Sequence, residues 1–315
     1  MGTTGQVPIP SVRLPASRHR LSTSQTCPQC GGASGSLLRT NDLNRGVDNR
    51  PFSYYRCVHC GLVFLSPIPA DLGRYYPETY YVLPPSQRQL AIEAQSHQPK
   101  LDIVQRLVSH GRMLEIGSAY GAFAFLAKRA GFEVEAIEMD ERCCRFLEDA
   151  VGVRAHQSDD PLSSLERLGR FDVIALWHVI EHLRDPWTLL DTVPDHLLPG
   201  GVLAIATPNP GSLQFRIFRH RWAHLDAPRH LHLIPMSLLE SRMHKAGMTV
   251  AYVSSSDRTG LGWNIFGWRE SLAHLAQTAG VRGCLRMIGR VLARVVAPME
   301  RRDFLGSTYT IAFRK

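Results

Sequence analysis

The sequence predicts an α/β fold: a doubly wound sheet with ligands at its strand ends, preceded by a small cysteine-held module. Three observations carry this. Short apolar runs of strand length recur from Met113 to the C-terminus, with helical segments between several of them. One run, Arg112-Met-Leu-Glu-Ile116, leads into a small-residue loop ending at Gly121 and then into an amphipathic stretch. Ahead of these lie two Cys-x-x-Cys pairs.

The chain of 315 residues has room for one large domain and a small accessory module. Its 44% hydrophobic and 20% charged residues are those of a soluble globular protein. No apolar run approaches the ~18 residues of a spanning helix, so none is expected. The start of the chain carries Arg13, Arg18, Arg20 and Arg39 with no acid before Asp42, but lacks the compact apolar stretch of a secretory signal. Pro8, Pro10 and Pro15 would interrupt the helix of a transit peptide. Residues 1–26 therefore read as a disordered leader. The net charge of +8 invites a polyanion partner, yet lysine contributes only Lys100, Lys128, Lys245 and Lys315 to the 36 basic residues, and the arginines are spread along the whole chain. Such a skew resembles genomic base composition and is weak support for nucleic-acid binding.

Residues 27–65 are expected to form a zinc ribbon. Cys27-Pro-Gln-Cys30 and Cys57-Val-His-Cys60 each end in a glycine, Gly31 and Gly61, that permits the turn aiming thiolates inward. Four thiolates suit tetrahedral zinc with no open position, a structural site. His59 reads as a bystander, and Cys143, Cys144 and Cys284 lack partner spacing. Free thiolates imply a reducing compartment, so a cytoplasmic location is expected. Residues 66–100 are a linker and cap rich in Pro and Tyr, with Tyr75, Tyr76, Tyr80 and Tyr81 as packing anchors. Helical spacing over 88–109 is interrupted near Pro99. The main domain, 101–315, has expected strands at Met113–Ile116, Val134–Ile137, Phe171–Leu176, Val202–Ala206, Val250–Val253 and Tyr309–Phe313. Expected helices lie at Phe123–Ala130, Cys143–Ala150 and Trp187–Leu197.

Gly117 and Gly121 let the backbone turn and approach a ligand, and the following helix would aim N–H groups at it. Glu138, at the end of the next strand, can accept hydrogen bonds from both ribose hydroxyls of an adenosine cofactor. The dinucleotide fingerprint competes for such a loop, but the pattern here is E-x-G-x-x-x-G, with Ala119 at the middle glycine position. This resembles motif I of the class I S-adenosylmethionine (SAM)-dependent methyltransferases. The segment Phe171-Asp-Val-Ile-Ala-Leu-Trp-His-Val-Ile-Glu-His182 resembles motif IV of that family, and Pro199–Asn209 resembles its next loop and strand. The likeness is greatest to a bacterial-type branch with "HVIEHL" and "DxPRH" segments, the latter here Asp226-Ala-Pro-Arg-His230.

The resemblance implies a Rossmann-like, seven-strand methyltransferase sheet, SAM as cofactor, and an enzyme that transfers its methyl group. The cofactor contacts it implies are Glu115, Gly117, Ser118, Ala119, Gly121, Glu138, Met139, Asp159 and Trp177, with Asp160 an alternative to Asp159. Transfer to a hydroxyl would need a proton acceptor, for which His178 and His230 are the candidates. Glu181 and His182 read as anchors of the following helix; Trp222 and the Tyr75, Tyr76, Tyr80 and Tyr81 cluster read as packing, with the lining of a substrate pocket as the alternative. The resemblance favours a small-molecule acceptor such as a sugar, a lipid-linked glycan or a secondary-metabolite intermediate. An RNA or DNA methyltransferase using the ribbon to bind nucleic acid is the main rival, and a non-catalytic SAM-binding or zinc scaffold a third reading. Oligomeric state is not legible.

An insertion at about 261–304 separates the last two strands. In it Arg282, Arg286, Arg290 and Arg294 recur every fourth residue, while Val281, Leu285, Ile288, Val291, Leu292 and Val295 cover the other side. A surface helix packed on its own domain is the favoured reading; peripheral membrane contact through residues 281–296 is the sharper alternative.

Overall fold

The computed structural model describes residues 24–302 and 304–315. The expected leader, 1–26, falls outside them up to residue 23. The cysteine-rich segment forms β1 (Ser24–Thr26), β2 (Ala33–Thr40), β3 (Phe52–Cys57) and β4 (Val63–Leu65), each antiparallel to the next. Helices α1 (Gln87–Ala94) and α2 (Gln98–Leu107) follow. The expected interruption near Pro99 is the short 3-10 turn Gln95–His97 between them; Pro99 itself sits in the first turn of α2, where a missing N–H leaves no bond unmade.

Strand–helix alternation then runs through β5 (Gly111–Ile116), α3 (Ala122–Arg129), β6 (Phe132–Glu138), α4 (Glu141–Phe146), β7 (Arg154–Gln157), α5 (Pro161–Leu165), β8 (Phe171–Trp177), α6 (Pro186–Thr192) and β9 (Leu197–Pro208). After α7 (Leu213–Phe218), β10 (His232–Leu233) and α8 (Met236–Lys245) come β11 (Thr249–Ser254), α9 (Arg258–Ala273), α10 (Ala279–Glu300) and β12 (Thr308–Arg314). Seven strands form one sheet in the order β11-β12-β9-β8-β5-β6-β7. The five from β9 to β7 are mutually parallel, and β12 is antiparallel to both β9 and β11.

Central strands read as unbroken apolar runs because both sheet faces are covered: Val173 to Leu176 and Val202 to Ile205 are fully buried. Edge strand β7, Arg-Ala-His-Gln, has no such pattern and pairs only with β6. At the centre, β5 and β8 end side by side, with Ile116 opposite Leu176. Loops leaving their carboxyl ends therefore meet, and the site forms there.

The ribbon shares a sheet with the main domain. Strand β10 adds antiparallel to β4, with His232 opposite Phe64 and Leu233 opposite Val63. Tyr55, Leu62 and Phe64 pack in one cluster with Leu239 and Met243 of α8. Tyr54, Val63 and Leu65 join another with Trp222, Leu231 and Trp268. The Tyr54 hydroxyl donates to the carbonyl of His230 at 2.7 Å.

The strongest tie is ionic. Arg229, fully buried, donates to Asp42 of the ribbon at 2.6 Å and to Asp226 at 2.8 Å. Burial alone would disfavour both charges; the guanidinium nonetheless holds the Asp226 carboxyl well below the usual carboxylate range. Removing Arg229 would leave two buried carboxylates without their cation; removing Asp42 leaves the guanidinium with Asp226 but takes the acceptor from its Nη1 and from the Arg45 and Val47 amides. Asp42→Ala is expected to cost about 2–4 kcal/mol of stability, read by denaturant unfolding. A surface-like loss below about 1 kcal/mol would show that the pair is not structural.

Candidate active site

The loop after β5 is built from backbone that only small residues allow. Gly117 and Gly121 have φ of +72° and +79°, and a Cβ on Gly117 would come 2.4 Å from Val179. Ala119 accepts φ +49° at the position where a glycine is expected. Its N–H donates to Glu138 Oε2 at 2.7 Å, so the loop is tied to the end of β6. Glu138 Oε1 accepts from the Met139 and Asp140 amides. Burial raises the Glu138 pKa, while these amides oppose the rise. The Glu115 carboxylate, also buried, accepts from the Ser118 hydroxyl at 2.5 Å.

The structure brings Glu115, Gly117, Ser118, Ala119, Gly121, Glu138 and Met139 together at the ends of β5 and β6. Met139 is half exposed. Asp159 is exposed after β7, whereas Asp160 is committed to capping α5 through the Leu162 amide. Trp177, buried at the end of β8, meets the Phe123 ring edge to face at 5.3 Å.

One residue of this site has no signal in the sequence. Lys100 of α2 is buried, with its ammonium 3.2 Å from His97 Nδ1 and 5.3 Å from the Trp177 ring centre. Burial pushes Glu115 up to about 7 and Lys100 down to about 8, each feeling the other's charge. An amphipathic helix lysine reads as a solvated charge; only the tertiary fold turns it inward. The donor set fits SAM, whose methionine end carries one ammonium and one carboxylate. Glu115 can take the first and Lys100 the second, while Glu138 suits ribose hydroxyls.

On the other side of Trp177 the chain turns at His178, which adopts φ +60° while its N–H donates to Ala206. A non-glycine residue there costs about 1 kcal/mol or more, and the turn directs the imidazole into a cavity of about 540 Å³. His178 Nδ1 lies 3.5 Å from Glu181 Oε1, and Nε2 is buried without a partner among the described residues. Burial lowers the His178 pKa and Glu181 opposes that, so the ring is a neutral base. Glu181 is wholly buried; burial works against its charge, yet the His178 contact and neighbouring rings hold its carboxyl at about 2.

Glu181 and His182 do not anchor α6, which Asp185 caps through the Trp187 and Thr188 amides. Glu181 accepts from Thr207 instead, and His182 pairs with the Tyr76 hydroxyl at 2.9 Å. His230 is fixed by the His224 carbonyl at 2.8 Å and lies 4.0 Å from Glu181. One ligand atom each from Glu181, His182 and His230 fall within 4.8 Å of one another, a set able to share a proton or hold a cation. Trp263, Phe266, Tyr80 and Arg45 line the remaining cavity. Trp222 is buried packing, its ring tilted at 43° to that of Phe215, whereas Tyr80 of the tyrosine cluster does reach the cavity.

The four ribbon cysteines, Cys27, Cys30, Cys57 and Cys60, converge with all Sγ atoms within 4.8 Å of one another and three of the pairs at 3.5 to 3.7 Å. The edge of a tetrahedron with zinc–sulfur bonds of about 2.3 Å is ~3.8 Å, whereas a disulfide needs about 2.05 Å. The cluster therefore fits a metal ion.

A family model described as "Methyltransferase domain" matches residues 88–253. A ubiquinone biosynthesis O-methyltransferase of Cereibacter sphaeroides is 28% identical over 172 residues, covering 51% of this chain and 68% of that protein. One from Caulobacter sp. strain K31 is 31% identical over 105 residues, covering 31% of this chain and 41% of that protein. A crystal structure of a SAM dependent methyltransferase from Archaeoglobus fulgidus aligns with TM-score 0.49 at 22% identity, covering 71% of this chain and 94% of that one.

Two ionised groups at the methionine end set a pH window. Affinity for SAM, by calorimetry, is expected to fall below about pH 7 as Glu115 is protonated and above about pH 8 as Lys100 loses its proton. Lys100→Met should weaken binding about tenfold or more and flatten the alkaline limb. Unchanged affinity and pH profile in that variant would remove Lys100 from the site.

Proposed function

This chain belongs to the class I SAM-dependent methyltransferases, and we propose that it methylates a hydroxyl of a small, ring-sized acceptor such as a sugar or phenol. The observation that carries this reading is the His178–Glu181 pair. A neutral imidazole with a free Nε2 stands at the end of β8, and a buried carboxylate faces its other nitrogen. Glu181 favours the proton on Nδ1 and stabilises the imidazolium formed when Nε2 takes the acceptor's proton.

When bound, SAM supplies an activated methyl group, and transfer needs acceptor oxygen, methyl and sulfur in line. Trp177 and His178 are consecutive at the strand end, so one turn separates the cofactor side from the acceptor side. Trp263 and Phe266 offer faces for a ring, with the centre of the His178 ring 4.7 Å from that of Trp263. His230 is held by backbone and serves as a positioning residue for Glu181. A concave cavity of about 540 Å³ suits a small molecule better than a polynucleotide. Relatives named O-methyltransferases also support oxygen as the acceptor atom.

A second reading has one observation in its favour. Glu181 Oε1 is buried without a hydrogen-bond donor, beside His182 and His230. A divalent cation there would polarise the acceptor oxygen, and activity lost to chelation and restored by Mg²⁺ alone distinguishes it.

We also propose a structural zinc on Cys27, Cys30, Cys57 and Cys60. Mercurial titration should release one zinc per chain and lower the melting temperature, because metal binding is part of this segment's folding energy. Native protein with no zinc in elemental analysis removes the assignment.

For the reaction, methyl-labelled SAM is offered with phenols, sugars and total RNA. Label is expected in a small-molecule ether; label in RNA alone overturns the reading. His178→Asn should lower kcat about 10²–10⁴-fold with SAM affinity unchanged, and a loss below about tenfold would exclude His178 as the base.

A further inference from the structure

Helix α10 spans 22 residues, about 33 Å. It crosses α9 through small residues: Gly289 and Ala293 are buried, and a Cβ on Gly289 would come 2.7 Å from Arg269 Cα. Its C-terminal end is pinned by buried Glu300, whose carboxylate accepts from Gln214 at 2.8 Å and from the Trp268 indole at 2.9 Å. These contacts fix the helix's rotation and leave most of its large apolar side chains outside. Met287, Ile288, Val291 and Val295 are 60%, 54%, 58% and 69% exposed, and Val281 and Met299 extend the same stripe at either end. The apolar positions expected to pack inward thus do so only in part, through half-buried Leu285 and Leu292.

At 100° per residue, Arg290 and Arg294 flank one edge of this stripe, whereas Arg286 turns back toward α9 and pairs with Glu270 at 2.9 Å. Glu300 is the helix's only acid and is turned inward. A second copy of the same face would set arginine rows together with no helix carboxylate to pair them. An apolar stripe edged by cations alone is complementary to acyl chains beneath anionic headgroups. No described helix is long and apolar enough to cross a membrane, so such a contact lies on the surface.

We propose that α10 docks this protein on an anionic lipid surface, lying in its plane with Met287, Ile288, Val291 and Val295 inserted. Arg282 and Arg286 of the same helix line the cavity that holds His178. At 100° per residue these two lie on the face of α10 opposite the inserted stripe, so docking leaves the cavity on the solvent side of the helix. The docking does not depend on the methyl-transfer reading.

The test is flotation of the full chain with vesicles of equimolar phosphatidylserine and phosphatidylcholine, against pure phosphatidylcholine. Binding to the anionic vesicles is expected, weakening as salt rises. Ile288→Asp with Val295→Asp, and separately Arg290→Glu with Arg294→Glu, should each reduce it about tenfold or more, with SAM affinity unchanged. No flotation of the wild type, or flotation unchanged in both double variants, overturns the proposal. So does a lipid-free dimer that Ile288→Asp dissolves, which would assign the face to a second copy. Flotation without methyl transfer to any acceptor would sink the catalytic reading and leave the docking standing.

Discussion

Arg229 is the fixed point of this molecule. Its guanidinium is removed from water entirely and lies between Asp42, from the ribbon, and Asp226, three residues before it. Withdrawing the guanidinium would strand two carboxylates in a medium that solvates them poorly, and withdrawing either carboxylate would leave part of the guanidinium's hydrogen-bonding capacity unmet. The ribbon and the segment carrying His224 and His230 are thereby locked in one register. Asn44 adds a bond to Asp226 at 2.5 Å, and Thr40 one to the His220 carbonyl at 2.6 Å. The cavity wall is thus assembled from two stretches of chain that this ion cluster ties together beside the β4–β10 pairing and the shared apolar clusters.

Inside that wall, low dielectric governs the chemistry. Burial drives His182 to about 4 and His224 to about 3, so these two imidazoles stay neutral. Glu181 keeps its charge because hydrogen bonding and neighbouring rings outweigh the cost of desolvating it. The left-handed turn at His178 is a local strain that the parallel register of β8 and β9 can carry, since the His178 amide bonds Ala206 at the end of that ladder.

Much of this was legible because it is local. The glycine loop, Glu138 after the next strand and the two cysteine pairs are written in contiguous residues whose backbone demands are specific. The buried central strands announce themselves as apolar runs. What was not legible depends on long-range placement. Strand β7 is polar because it lies at a sheet edge. Asp42 and Arg229 are 187 residues apart, and nothing near either one indicates a pair. Lys100 becomes a site residue only when α2 is laid against β5 and Trp177. Glu181 looked like a helix anchor from its position before α6, but Asp185 already satisfies that helix's amides. For α10, periodicity located an apolar face without saying what covers it.

The shared sheet of β4 and β10 has a consequence for how the protein can be divided. A truncation after residue 66 would follow the apparent boundary between modules, yet it would expose the edge of β10 and uncover Leu231, Leu233 and Trp222. The catalytic half would then present an unpaired strand beside fresh apolar surface, which favours aggregation. The modularity of residues 27–65 is an impression of the linear chain; in three dimensions they are part of the cavity's own wall.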